Sequence, residues 1–131
     1  MSGIDSVLSH GTIEVRDLAA TRRFFENFLG LKVIQPLPVA IYADGGGGWQ
    51  LVCVRSGLKM KKQSRHNRFC LHVESEAMVK QAQVAAEQLR DQYDIREVGP
   101  IEQVDGAIRF ILQDLNNVWW EISARTKRPL N

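Results

Sequence analysis

Residues 65–73 read RHNRFCLHV and crowd two histidines and two arginines into the start of a strand-like run. Strand alternation places Arg68, Cys70 and His72 on one side, and Phe69, Leu71 and Val73 on the other. The same alternation in HGTIEV, WQLVCV and VWWEI adds His10, Gln50 and Glu121 to the polar set, with apolar Val52 and Trp119 beside them. A face washed by solvent is more uniformly polar, whereas mixed polar and apolar residues suit the wall of a ligand cavity. The chemistry available there is specific. A guanidinium such as Arg68 holds an anion and cannot ligate a cation. An imidazole such as His72, set near a carboxylate, has a raised pKa and can act as acid or base. Its plainer role is pairing with Glu14, its counterpart in the first half of the chain. Trp119 can stack on a flat ligand or simply pack.

The chain that must position these residues has 131 residues, one domain's worth, with 44% hydrophobic and 24% charged residues. A net charge of +2 is too small to argue for nucleic acid or an anionic membrane. No apolar run approaches the roughly 20 residues of a membrane span. The N-terminus MSGIDSVLSHG has neither the basic nor the apolar region of a secretion signal. A cytoplasmic location follows, with Cys53 and Cys70 as buried reduced thiols rather than a disulfide or metal pair.

Periodicity orders the elements. LSHGTIEV reads as a strand, and Asp17 caps a helix, LAATRRFFENFL, with Leu18, Phe25, Phe28 and Leu29 on one side. LKVIQPLP, VAIYAD and WQLVCVRS follow as strands, the last two joined by the glycine turn at 45–48. No Gly-Lys-Ser/Thr follows those glycines, so a hairpin turn is favoured over a phosphate loop. A basic loop, GLKMKKQSRHN, leads to the strand RFCLHVE. Ser75 caps a second helix over 76–93, with Met78, Ala82, Ala85 and Leu89 as its stripe. IREVGP, AIRFILQD and VWWEIS close the chain as two or three strands, with DLNN at 114–117 as a turn and a basic, fraying tail RTKRPLN. The order is β-α-β-β-β, twice. Ile13 and Val15 recur as Leu71 and Val73, and WQL at 49–51 recurs as WEI at 120–122. Each unit leaves one face of its sheet half-bare, so two units should join.

HGTIEVRDLAATRRFFENFLGLKVI and FILQDLNNVWWEIS together resemble the vicinal oxygen chelate superfamily. That group includes glyoxalase I, extradiol dioxygenases, methylmalonyl-CoA epimerase, fosfomycin-resistance enzymes and bleomycin-resistance proteins. The resemblance implies an α+β fold: two βαβββ units, at 8–55 and 67–124 of a single domain 1–131, forming a curved mixed sheet around a cavity with helices outside. It implies a homodimer and a small-molecule ligand.

Metal-binding members place ligands at four equivalent strand positions, which fall here on His10, Gln50, Arg68 and Glu121. His10 and Glu121 are suitable ligands for Fe, Mn, Ni, Co or Zn. Gln50 resembles the epimerase, and Arg68 stands where the family has His. His66 and His72 lie two and four residues from that position, and each needs a bulge to reach it. Beside a metal-free lyase or isomerase, with His72 or Glu121 as base and Arg68 stabilising a developing anion, the resemblance implies two further readings. One is an enzyme of lyase, isomerase or dioxygenase type, with Glu121 and His72 catalytic and a metal on His10 and Glu121, completed by Gln50 or His72. Its substrate would be a small anionic or aromatic, oxygen-rich molecule contacting Arg68, Trp119 and Gln50. The family's extradiol cleavage is disfavoured, because Ile111 stands where that subfamily has Tyr. The other reading is a metal-free binding or resistance protein with Arg68 as anion anchor.

Overall fold

The computed structural model of the chain describes residues 3–57 and 59–126. Most of the expected basic tail, 127–131, lies outside the described residues. The chain divides into two compact units, Met1–Lys59 and Met60–Asn131. The architecture is α+β, with one mixed sheet in each unit.

In the first unit β1 (His10–Val15) is followed by α1 (Leu18–Asn27), β2 (Lys32–Leu37), β3 (Ala40–Asp44) and β4 (Gln50–Arg55). The sheet order is β1-β4-β3-β2, with β1 parallel to β4 and the other pairs antiparallel. Asp17 caps α1 by accepting a hydrogen bond from the Ala20 N–H at 3.0 Å. The buried side of that helix is Leu18, Thr21, Phe24 and Phe25, so Phe24 takes the place expected of Phe28 and Leu29, which are only partly buried. These residues meet Val15, Ile41, Leu51 and Cys53 in the core of the unit. Gly46, Gly47 and Gly48 all have positive φ and turn β3 into β4, which few other residues could do cheaply.

In the second unit β5 (Arg68–His72) leads to α2 (Glu76–Gln88), the short α3 (Arg90–Tyr93), β6 (Glu97–Val98), β7 (Glu102–Val104), β8 (Ala107–Gln113) and β9 (Trp119–Arg125). The path is β5-β9-β8-β6, β5 lies parallel to β9, and β7 also pairs with β8. Two expectations change here. The single helix expected over 76–93 breaks at Leu89, where ψ is 11° and the α-helical ladder stops. Its buried stripe is Val79 and Ala86 rather than Met78 and its partners, and Met78 is 44% exposed. The stripe is thus rotated by about one residue, because Val79 and Ala86 are the ones that point onto β8 and β9. The two or three closing strands expected are four, since Asp105 and Gly106 (φ 73°) form a hairpin between β7 and β8.

Asp114 closes the β8–β9 turn. Its Oδ1 accepts from the Asn116 and Val118 N–H groups at 2.8 and 3.0 Å, and its Oδ2 from Trp120 Nε1 at 2.9 Å. This fully buried carboxyl sets where β9 begins, and hence which of its residues share a side with Glu121.

Candidate functional site

Register assembles the polar face of the second unit. On β5 and β9, Arg68 pairs with Trp119, Cys70 with Glu121 and His72 with Ser123. On β8, Gln113 lies opposite Trp119, Ile111 opposite Glu121 and Arg109 opposite Ser123. Glu102 of β7 lies opposite Arg109. Paired residues share a side, so these rows form one surface. The other side carries Phe69, Trp120, Ile122, Ile108, Phe110 and Leu112, with Val79 and Ala86 of α2 in the same core.

Glu121 is the hub of the polar side. Its Oε1 accepts from Arg68 Nε at 2.8 Å and from an Arg109 terminal nitrogen at 3.4 Å. Its Oε2 accepts a longer contact from Cys70 Sγ at 3.6 Å, and Cys70 also meets Ser123 Oγ at 3.4 Å. The Arg68, Arg109 and Glu121 side chains are only 21%, 22% and 16% exposed, so this ion-paired group is shielded far more than a surface salt bridge. Arg109 Nε faces Glu102 Oε1 at 3.6 Å, too far for a hydrogen bond. Both atoms are buried, and among the described residues neither has a hydrogen-bond partner. The two groups are ion-paired at this distance but do not complete a hydrogen bond.

Burial raises the Cys70 thiol above its usual range. The Glu121 carboxylate adds to that, against the opposing effects of Ser123 and Arg68. Cys70 is therefore a neutral thiol donor at pH 7, not a thiolate. It is also exposed as a residue, unlike Cys53, which corrects the expectation of two buried thiols. It sits on the polar side of β5, so burial of the strand's apolar side does not reach it.

The loop before β5 is tied to this surface. Trp119 Nε1 donates to the Gln63 carbonyl at 2.7 Å, Asn117 Nδ2 to the Met60 carbonyl at 3.1 Å and Arg68 to the Arg65 carbonyl at 3.0 Å. Arg65 lies over the Trp119 ring, with its guanidinium carbon 6.0 Å from the ring centroid, and approaches Glu102 at 3.8 Å. His66 falls in the exposed turn before β5.

The sequence-derived candidates sort by unit. His10 and Gln50 belong to the first unit, where the parallel register sets them side by side at the start of β1 and β4. His10 is exposed, and its Nδ1 lies 3.0 Å from Ser9 Oγ. Arg68, His72, Trp119 and Glu121 belong to the second unit and share its polar side. His72 is exposed at the end of β5 opposite Ser123. Sequence reasoning passed over Arg109, Glu102 and Ser123. Arg109 alternates with Ile108 and Phe110 in AIRFILQ, so the period-two signal was present. Glu102 needed recognition of the Asp105-Gly106 hairpin, which alone places it opposite Arg109.

A divalent metal of the kind the superfamily resemblance implies does not fit the second unit's pair. Arg68 brings a cation where a lone pair is wanted, and Glu121 Oε1 already faces two guanidiniums. His10 and Gln50 supply lone pairs but are only two donors, fewer than a structural or catalytic metal takes from protein. Among the described residues no three His, Cys, Asp or Glu side chains group as a metal site.

No family model matches this sequence, and no curated protein does. Solved structures do match. The genomically encoded fosfomycin resistance protein FosX of Listeria monocytogenes superimposes with a TM-score of 0.75 at 22% identity, over 94% of this chain and 96% of that one. A glyoxalase/bleomycin resistance protein/dioxygenase from Alicyclobacillus acidocaldarius gives a TM-score of 0.66 at 23% identity, over 92% of each chain. A lactoylglutathione lyase from Agrobacterium tumefaciens gives 0.66 at 16% identity, over 92% and 94%. Identities this low speak to the backbone and not to the chemistry. These neighbours give the chain the fold of the vicinal oxygen chelate superfamily.

Proposed function

We propose that the chain recognises a small anionic, oxygen-rich or aromatic molecule without a metal, with Arg68 and Arg109 as its anion anchors. The observation that supports this reading is the Arg68–Glu121–Arg109 cluster, in which one carboxylate holds two partly exposed guanidiniums on the polar side of the sheet. Glu121 holds both guanidiniums in place, and a ligand carboxylate, phosphonate or enolate oxygen would accept from their remaining terminal N–H groups. Trp119 offers an aromatic surface beside Arg68 for a flat ligand. Where such a protein turns its ligand over, His72 or Glu121 would move the proton, and the guanidiniums would stabilise a developing anion. Homodimer formation and a cytoplasmic location belong to the same proposal.

The test is metal content after purification without chelator or tag metal, with His10→Ala and Glu121→Ala as controls. It is paired with thermal shifts on benzoate and phenylphosphonate. The expected result is no stoichiometric metal, and stabilisation of the wild type that Arg68→Ala abolishes. Near-stoichiometric iron, manganese, nickel, cobalt or zinc, lost in both control variants, would overturn the metal-free reading in favour of a metalloenzyme.

A further inference from the structure

The first unit holds a cluster of cations that the superfamily comparison leaves unexplained. An open cleft of about 720 Å³ runs between α1 and the β2–β3 turn. Its size is that of a small-molecule site. A smaller cleft of about 410 Å³ shares Arg16 and Arg55 with it and adds Lys59.

The sequence explains the convergence. Ala19, Arg22, Arg23 and Glu26 follow the i, i+3, i+4, i+7 rule and form one stripe of α1, next to the stripe that the core takes up. Val15 pairs with Arg55 in the β1–β4 register, so Arg16 leaves the sheet beside Arg55. Ala19 is small and leaves room on the helix side, while Gln35 and Pro38 form the opposite wall. The larger cleft thus has four arginines against two acids. Both acids already have partners: Asp17 caps α1 through Ala20, and Glu26 pairs with Arg22 at 3.2 Å. Arg23 and Arg55 have no carboxylate partner among the described residues. Like charges gathered without partners repel, and an anion between them reverses the sign of that energy.

We propose that this cleft is an anion site for a small molecule carrying two or more linked phosphoryl groups, with Arg23 and Arg55 as its principal contacts. Separate arginines on two walls match charges that are spread along a chain better than a single carboxylate. Among the described residues no aromatic side chain lines the cleft, so a nucleobase would add little and the phosphoryl groups themselves are read. A nucleic acid is disfavoured, because the whole chain carries only +2 and the cations lie within a cleft rather than along a stripe.

The experiment is calorimetric titration of the full chain with inorganic tripolyphosphate at low salt, repeated with ATP and with duplex DNA. Arg23→Ala and Arg55→Ala should each weaken tripolyphosphate about tenfold, the loss of a charge-assisted hydrogen bond. Arg125→Ala, which changes net charge equally, should change it little. ATP should bind about as tightly as tripolyphosphate, and monophosphate more weakly. Both target arginines are exposed, and unchanged melting curves would confirm that their variants fold. Absence of tripolyphosphate binding would overturn the proposal. So would a loss confined to Arg68→Ala, which would move the anion to the other unit, or tight DNA binding with the same arginine dependence.

Discussion

Arg68 Nε and Glu121 Oε1 meet at 2.8 Å although neither residue is the other's register partner. Arg68 pairs with Trp119 and Glu121 with Cys70, so the ion pair runs diagonally between two parallel strands. The contact leaves Glu121 free to accept from Arg109 on the opposite side, where β8 runs antiparallel. One carboxylate thereby holds guanidiniums from both neighbouring strands.

Arg68→Ala should destabilise the chain by about 1–2 kcal/mol, between the values for exposed and buried pairs. Arg109 remains to shield Glu121, which limits the loss. A double-mutant cycle with Glu121→Gln, read from urea unfolding, should give a coupling of about 1 kcal/mol. Additive effects of the two substitutions would mean that the pair contributes geometry without stability.

The loop before β5 depends on Trp119. Trp119→Phe keeps the ring but removes the 2.7 Å hydrogen bond to the Gln63 carbonyl. Local opening of residues 59–67 should become easier by about 1 kcal/mol. Limited trypsin digestion at Lys61 and Lys62 should then quicken about fivefold, with global stability little changed. Equal cleavage rates would show that the Asn117 tether to Met60 suffices.

Gly99 is required for close approach rather than for its φ angle. A Cβ there would lie 2.9 Å from the Ile111 carbonyl oxygen, the same oxygen that accepts from the Gly99 N–H at 2.8 Å. Backbone atoms cannot move aside as a flexible side chain can. Gly99→Ala should cost about 1–3 kcal/mol by forcing β8 and the segment after β6 apart. Thermal unfolding checks it: a variant melting with the wild type would show that the segment shifts freely.

Alternation and helix period carried much of this structure in the sequence. The polar face was legible because every strand that forms it obeys a period of two, and Arg68, Cys70, Glu121 and Trp119 share a side as expected. What alternation cannot supply is the partner across the sheet. Arg109 and Glu102 become functional candidates only through the β7–β8–β9 register, which rests on a two-residue hairpin and on Asp114. The α2 stripe was misplaced for a related reason. Its alanines and apolar residues permit two neighbouring stripes, and only the sheet beneath selects Val79 and Ala86. Exposure of Cys70 followed from its face, against the general tendency of cysteine to be buried.

Asp114 gives the fold a pH dependence whose direction is opposite to that of a salt-bridged carboxylate. Full burial raises its pKa from 3.8 to about 6, against the lowering effects of the hydrogen bonds from Trp120, Val118 and Asn116 and the charge of Arg96. Between these two values the folded chain binds more protons at this group than the unfolded chain does. Stability from Asp114 is therefore complete below pH 3.8 and is lost as pH rises through about 6. The loss is on the order of 2–3 kcal/mol. Other carboxylates titrate in the same range, so the informative quantity is the difference between wild type and Asp114→Asn. The amide keeps an acceptor for the Asn116 and Val118 N–H groups but turns an N–H toward Trp120 Nε1, which lowers stability at every pH without titrating. Urea unfolding from pH 7 to pH 4 should show the wild type gaining on the variant by that amount, most steeply near pH 5, between the two pKa values. A gap that stays constant across the range would mean that the three N–H donors hold the carboxylate charged despite its burial.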